Sequence, residues 1–168
     1  MARTASIAGI VALSAAAIVR CSFMGAAAAD PGWRDYADPT SGTRVEYPTN
    51  MFSVAEGPFQ YASGEGFGTA EGRAHLAIFT MKAEQGGSPA AFVARNLQVP
   101  RSALHYQRIA PTFFAISGFH DADIYYIRCN AASDRSTLHC IYLIYPAAEK
   151  RAWDPIVTRI SRTLRPLM

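Results

Sequence analysis

Four consecutive segments in the second half of the chain are rich in apolar, aromatic and β-branched residues, and short polar breaks separate them. The segments are Leu104 to Ile109, Phe113 to Phe119, Ile124 to Ala131 and Thr137 to Tyr145. Such runs favour β-strands. The breaks are too short for the crossover that parallel neighbours require, so the sequence predicts four antiparallel strands in a meander.

Cys129 and Cys140 lie in the last two of these strands, on either side of a predicted turn at Asp134-Arg135. A hairpin centred on that turn places the two cysteines directly opposite each other, with Cβ atoms about 4.5–5.5 Å apart. A modest adjustment then reaches disulfide geometry. We predict a Cys129–Cys140 disulfide. The alternative is a pair of buried free thiols, which requires a reducing compartment.

The N-terminus indicates export. Arg3 precedes an apolar run from Ile7 to Val19, and small residues follow from Ala26 to Ala29. These are the three parts of a secretory signal, so we predict that residues 1–29 are removed. Removal also takes away Cys21. The mature protein then has two cysteines in an oxidising compartment, periplasmic or extracellular, where thiols tend to pair.

Two alternatives fit this N-terminus less well. The apolar run is shorter than the ~20 residues that a spanning helix needs, so we expect no stable membrane span. Lipid attachment at Cys21 would need a small residue immediately before it, and Arg20 occupies that place.

Residues 30–168 are predicted to form a single α+β domain, because 139 residues suit one domain. Residues 1–29 contain Arg3, Arg20 and no acid, so the mature chain has 14 basic and 13 acidic residues. Nucleic-acid-binding domains are usually strongly basic, so this balance argues against nucleic acid as a partner.

The remaining segments complete a sandwich of mainly antiparallel sheet, with one helix after the N-terminal strands and one at the C-terminus. The sequence predicts an irregular start at 30–43, a strand at 43–48, an extended piece at 51–55, a loop at 57–66, a hairpin turning at Glu71-Gly72, a helix from Ser88-Pro89 to about Leu97, and a last helix capped by Asp154-Pro155. In the strand ending at Met81, both faces are apolar, which predicts packed layers on both sides of the sheet.

This order of elements, the predicted export and the strand-ending segment at 46–52, Glu-Tyr-Pro-Thr-Asn-Met-Phe, resemble the PsbP-like α/β/α sandwich of small exported proteins. The resemblance covers most of 43–166 and implies that fold. It also implies an accessory or binding role rather than catalysis. No functional residue is carried over from the family.

His120, Asp121 and Asp123 are the best metal candidates, since an imidazole and two carboxylates on one tight loop could supply three ligands. The simpler interpretation is a polar turn between two strands, for which aspartate is a common choice. We favour the turn.

A ligand-binding face is predicted from the hairpin register. With the turn at 134–135, Arg128 lies opposite Ile141 and Asn130 opposite His139, with Tyr126 on the same side. These polar groups could line a pocket for a small ligand. Otherwise they form the solvated end of the sheet.

Three arginines, Arg159, Arg162 and Arg165, recur at helical spacing on the predicted final helix. They could contact anionic envelope components, or they could simply form the solvated back of the last helix.

The sequence lacks the marks of common catalytic sites. No Gly-x-Ser-x-Gly elbow is present, and no helix or Lys-Ser pair follows the glycine-rich stretch at 64–68. We therefore expect a non-enzymatic binding or accessory protein of the bacterial cell envelope that needs no cofactor. Its partner would be an envelope protein or a small ligand. The alternative is a small secreted hydrolase or metal-dependent enzyme.

Overall fold

The computed structural model describes residues 32–59, 62–83, 87–97 and 103–167. The predicted signal segment and its cleavage site lie outside these ranges. The described residues form ten strands and two helices. Their bounds are β1 Trp33–Asp38, β2 Thr43–Pro48, β3 Val54–Pro58, β4 Ser63–Gly68, β5 His75–Lys82, α1 Pro89–Asn96, β6 Leu104–Ile109, β7 Phe113–His120, β8 Asp123–Ala131, β9 Thr137–Pro146, α2 Lys150–Thr163 and β10 Arg165–Pro166.

Seven strands form one antiparallel sheet in the order β3-β4-β5-β9-β8-β7-β6, and β1-β2-β10 form a small second sheet. The meander predicted for β6 to β9 is confirmed, with each strand hydrogen-bonded to the next. Because β5 pairs with β9, the meander continues directly into the N-terminal strands. The α+β fold class is therefore confirmed.

The predicted disulfide is also confirmed. Cys129 and Cys140 are direct partners in the β8–β9 ladder, with their sulfurs bonded and their Cα atoms 4.1 Å apart. Both cysteines are fully buried. The turn between the strands places Arg135 at a positive φ of 58°, and the carboxylate of Asp134 accepts hydrogen bonds from the backbone and hydroxyl of Ser136.

Each helix covers one face of the large sheet. Helix α1 packs Val93 and Phe92 on the face that carries the disulfide and Phe114. Its start is as predicted, since the Ser88 hydroxyl accepts a hydrogen bond from the Ala91 N–H and Pro89 follows.

Helix α2 and the small sheet cover part of the opposite face. The apolar side of α2 includes Trp153 and Ile160, both buried as its spacing predicts. The ring of Trp153 stacks on Tyr145 at a centroid distance of 5.5 Å. Trp33 and Tyr36 bring the small sheet onto the same core.

Three local predictions are wrong. The start of the mature chain is not irregular, because β1 pairs along its whole length with β2. The glycine-rich segment predicted as a loop is strand β4, paired with β3 and β5. At Gly64 a Cβ would overlap the Ile78 carbonyl oxygen, so glycine is what allows β4 to approach β5 this closely.

The last helix does not begin at Asp154-Pro155. It begins at Lys150, and Pro155 lies inside it. A 3₁₀ turn at Ala147–Glu149 leads into the helix, and Lys150 pairs with Asp154 one turn later. Within the described ranges, no helix is long and apolar enough to cross a membrane.

Candidate functional site

The face of the large sheet that carries α2 has two parts. The part over β5 and β9 lies beneath α2 and the small sheet and is called the covered region. Its buried residues are Leu76, Ile78, Ile141 and Leu143. The part over β6, β7 and β8 is called the open face. It consists of Tyr106, Arg108, Phe113, Ser117, Phe119 and Arg128.

The strand register shows that these residues share one face. Tyr106 is the partner of Ser117, and Arg108 and Arg128 are the two partners of Ala115. Directly opposite residues in an antiparallel ladder project to the same side. Because Arg128 is in turn the partner of Ile141 in the covered region, the two parts belong to one continuous surface.

Large aromatic side chains on the open face are exposed to solvent. Phe119 is 48% exposed and Tyr106 44%, whereas every buried residue named for the covered region is at most 1% exposed. Helix α2 packs chiefly against β2 and β9. The exposure therefore follows from where α2 lies on the sheet.

Arg108 and Arg128 both lie over the ring of Phe113 on the open face. The guanidinium carbon of Arg128 is 4.4 Å from the Phe113 ring centroid, and that of Arg108 is 5.4 Å from it. The Arg128 Nε donates to the Asn130 side-chain oxygen at 3.1 Å. The contacts with the Phe113 ring and this hydrogen bond restrict the two arginine side chains. The other N–H groups of the guanidiniums can still donate to a ligand.

The four residues of the predicted ligand-binding face are brought together. The register pairs Arg128 with Ile141 and Asn130 with His139, as the sequence predicts, and Tyr126 lies on the same face. However, two of them bond to the elements that cover this face, which are α2 and the small sheet. The Asn130 amide donates to the Leu164 carbonyl oxygen at 2.7 Å, and His139 bonds to Thr43 of the small sheet.

His139 is the most buried ionisable group of this set, with 4% of its surface exposed. Its Nδ1 is 2.9 Å from the Thr43 hydroxyl, which also accepts a hydrogen bond from Ser41. Burial lowers the pKa of His139, and the nearby Asp134 carboxylate partly opposes that shift. The histidine also lines an open cleft of about 680 Å³ together with Ser41 and Arg165.

The metal candidates lie on the β7–β8 turn. His120 and Asp123 are paired residues at the two strand ends, and Asp121 has a positive φ of 54°. The His120 Nδ1 and an Asp121 carboxylate oxygen are 3.7 Å apart, and both side chains are largely exposed. Among the residues that the structure describes, no three His, Cys, Asp or Glu side chains form a group that could hold a metal ion.

The three arginines near the C-terminus have different surroundings. Arg159 donates to Glu46 at 3.2 Å and lies 4.0 Å above the Trp33 ring, so it joins α2 to the small sheet. Arg162 is exposed and lines one groove with Arg159. Arg165 is not on the helix as predicted, because α2 ends at Thr163; it lies in β10 and borders the His139 cleft.

A second cleft, of about 310 Å³, lies at the N-terminal end of α2. Its lining includes Met51 and Trp153, and an ion pair between Arg73 and Glu149 lies in it. The Trp153 Nε1 also donates to Glu149 at 3.2 Å. The side chains of Arg73, Glu149 and Trp153 are thus bonded to one another in this cleft.

The sequence singled out Arg128 of the open face but not its exposed aromatic residues. Phe119 and Tyr106 occur in apolar strands and are indistinguishable there from core residues. A usable signal was present in β6, where Arg108, Gln107 and His105 interrupt the apolar run. Such polar interruption is typical of an edge strand.

Two of the solved structures that match this chain illustrate its fold. The solution structure of cyanobacterial PsbP from Synechocystis matches with a TM-score of 0.61 and 8% identity, covering 83% of this chain and 95% of that protein. The Ran-binding protein Mog1p of Saccharomyces cerevisiae matches with a TM-score of 0.55 and 8% identity, covering 80% and 95%. The PsbP-like fold inferred from the order of elements is therefore confirmed.

No protein-family model matches the sequence, and no curated protein matches it significantly.

Proposed function

We propose that this protein is a non-enzymatic binding or accessory protein of the bacterial cell envelope, and that it binds a partner protein through the open face. In this proposal residues 1–29 are removed on export, and residues 30–168 act as one domain. The exposed aromatic and arginine side chains of the open face carry the proposal.

The composition of the open face favours a protein partner. Tyrosine, phenylalanine and arginine are enriched in protein–protein interfaces, and tyrosine and arginine are prominent among the residues that dominate binding energy. Here Tyr106, Phe119 and two arginines lie on one continuous surface. Neighbouring exposed aromatics on a sheet face mark an interaction site more often than scattered ones do.

The disulfide and the N-terminal pattern support action outside the cytoplasm. A buried cystine in a small domain is typical of proteins from oxidising compartments. Its position, directly across the β8–β9 hairpin, suits a structural staple rather than a redox-active pair, which would usually be a closely spaced Cys-x-x-Cys.

A non-enzymatic role is favoured over the hydrolase or metal-enzyme alternative because the buried polar groups have structural partners. His139 joins the large sheet to Thr43 of the small sheet, and Asn130 holds the backbone at the end of α2. Both cysteines are used in the disulfide. The Ran-binding protein among the structural neighbours shows that this fold is compatible with binding a protein.

Export can be tested by N-terminal sequencing of the protein from the periplasmic or culture fraction. We expect the sequence to begin at Asp30. Recovery of an intact Met1 in the membrane fraction would contradict a removable signal.

Binding at the open face can be tested by photo-crosslinking in intact cells. A photoreactive amino acid replaces Phe119 in one variant and Val54 in a matched control. Val54 is 45% exposed but lies on β3, at the opposite edge of the sheet. We expect a discrete crosslinked product from position 119 that position 54 does not give. The same product from both positions, or none from position 119, would contradict the proposed surface.

A further inference from the structure

Arg108 and Arg128 carry charges that the rest of the open face does not neutralise. On this face of β6, β7 and β8 the register places no Asp or Glu. Within the described ranges, neither guanidinium has a carboxylate within 4 Å. The two arginines flank Ala115 and share the ring of Phe113, so their guanidinium carbons are no more than about 10 Å apart.

Three other arginines of the described ranges are ion-paired within the chain. Arg44 pairs with Asp35 at 2.6 Å, Arg73 pairs with Glu149, and Arg159 pairs with Glu46. Each of these acids belongs to the same chain. Two cations on one face without an acid repel each other in the free protein, and a bound anion would relieve that repulsion.

The chemistry of the pair favours an oxyanion, either a carboxylate or a phosphate. A guanidinium is planar and presents its N–H donors in a fork that matches a carboxylate or phosphate with two parallel hydrogen bonds. Stacking on Phe113 and the bond from Arg128 to Asn130 restrict the side chains before the anion arrives. Less conformational entropy is then lost on binding.

The surroundings favour a protein segment over a free anion. Tyr106 and Phe119 extend the surface on the same face with exposed aromatic rings, which a small inorganic anion would not contact. A segment with acidic and apolar side chains would match both the charge and the apolar area.

We propose that the open face recognises an acidic segment of its partner protein, with a carboxylate bound between Arg108 and Arg128. This inference rests on the proposed binding surface and adds the chemistry of the partner. The carboxylate supplies the missing countercharge, and neighbouring apolar side chains of the segment pack on Tyr106 and Phe119.

The test follows the Nε–Hε signals of the arginines by NMR in the intact mature protein. The probes are a capped pentapeptide, Glu-Phe-Glu-Phe-Glu, its Gln-for-Glu counterpart, and inorganic phosphate. We expect the Glu peptide to shift the signals of Arg108 and Arg128, with apparent affinity at least about tenfold above that of the Gln peptide and of phosphate.

Variants separate this site from general attraction to positive charge. Arg108→Gln and Arg128→Gln should each lower the affinity for the Glu peptide by about tenfold. Arg151→Gln removes the same charge from an exposed position of α2 and should leave the affinity unchanged. Thermal melting of each variant checks that it remains folded, and the peptide comparison on the unmodified protein does not depend on the variants.

The outcomes distinguish the inference from the proposed function. If the Glu and Gln peptides bind equally at Phe119 and Tyr106, the carboxylate inference is wrong while the binding surface stands. If phosphate shifts the two arginines as strongly as the Glu peptide does, the site takes any small anion and the inference is overturned. If no probe shifts either arginine, the inference is also wrong.

Discussion

The covered region and the open face belong to one side of one sheet, yet their side chains have opposite environments. In the covered region Leu76 and Leu143 are fully buried beneath α2 and the small sheet, whereas Phe119 and Tyr106 are nearly half exposed. Antiparallel sheets can leave part of a face in water, but that part usually carries small or polar side chains. Aromatic side chains that are nearly half exposed stabilise the free fold less than buried ones do, and this difference is why we assign binding to the open face.

The largest expected effect is on the covered region. Ile160 of α2 is fully buried in its core, so Ile160→Ala should lower the free energy of unfolding by about 2–5 kcal/mol. Arg162→Ala, two residues later on the exposed side of α2, should cost about 0.5 kcal/mol or less. Denaturant unfolding of both variants checks this difference. Equal costs would mean that the packed side of α2 is misassigned.

The disulfide joins β8, the strand at the border of the open face, to β9 at the centre of the sheet. Its closed loop is short, so on the chain-entropy model reduction should lower the free energy of unfolding by about 2–3 kcal/mol. The measurement compares unfolding with and without reductant, and a Cys129→Ala, Cys140→Ala double variant shows whether the reductant has other effects. Two reactive thiols in the unfolded, unreduced protein would contradict the bridge.

The bond from His139 to Thr43 fixes the small sheet over the covered region and should make stability depend on pH. Burial lowers the folded-state pKa of His139, so the unfolded chain binds the proton more readily. The stabilisation is therefore complete above the ordinary histidine pKa and is lost as the pH falls from there to the folded-state value.

Unfolding measured between about pH 7.5 and 5.5 spans the start of this loss. We expect His139→Gln to flatten the pH dependence of the unfolding free energy. Thr43→Ser keeps the hydroxyl and should keep the slope, although it deletes a buried methyl group. An unchanged slope in His139→Gln would show that this histidine does not contribute.

The smallest expected effect on stability comes from the open face. Phe119→Ser should cost about 1 kcal/mol or less, and Val54→Ser on the opposite edge strand should cost a similar amount. If Phe119→Ser instead destabilised the protein as strongly as Ile160→Ala, Phe119 would be a core residue and the distinction between the two regions would collapse.

The parts of the fold that the sequence predicted are those in which local patterns agree with tertiary contacts. Strands β6 to β9 have clear polar breaks, and the paired cysteines fix the β8–β9 register independently of the turn. The helix start at Ser88-Pro89 has both a side-chain cap and a proline at its first position.

The parts that the sequence missed depend on neighbours distant in the chain. Strand β4 contains three glycines, and it is a strand because β3 and β5 pair with it on both sides. Pro155 suggested a helix start, but the preceding turn of α2 forms because Trp153 packs on Phe52 and Tyr145. Apart from Arg128, the open face was missed because the extent of the sheet that α2 covers is a tertiary property.

Hydroxyl-radical footprinting of the protein in intact cells and after purification tests most directly whether the open face binds a partner. Partner binding should bury the open face, so we expect Phe119 and Tyr106 to be modified less in cells than in the purified protein. Val54, with similar exposure on the opposite edge of the sheet, should be modified equally in both. Equal modification of all three residues in the two samples would contradict the assignment of the open face as the binding surface.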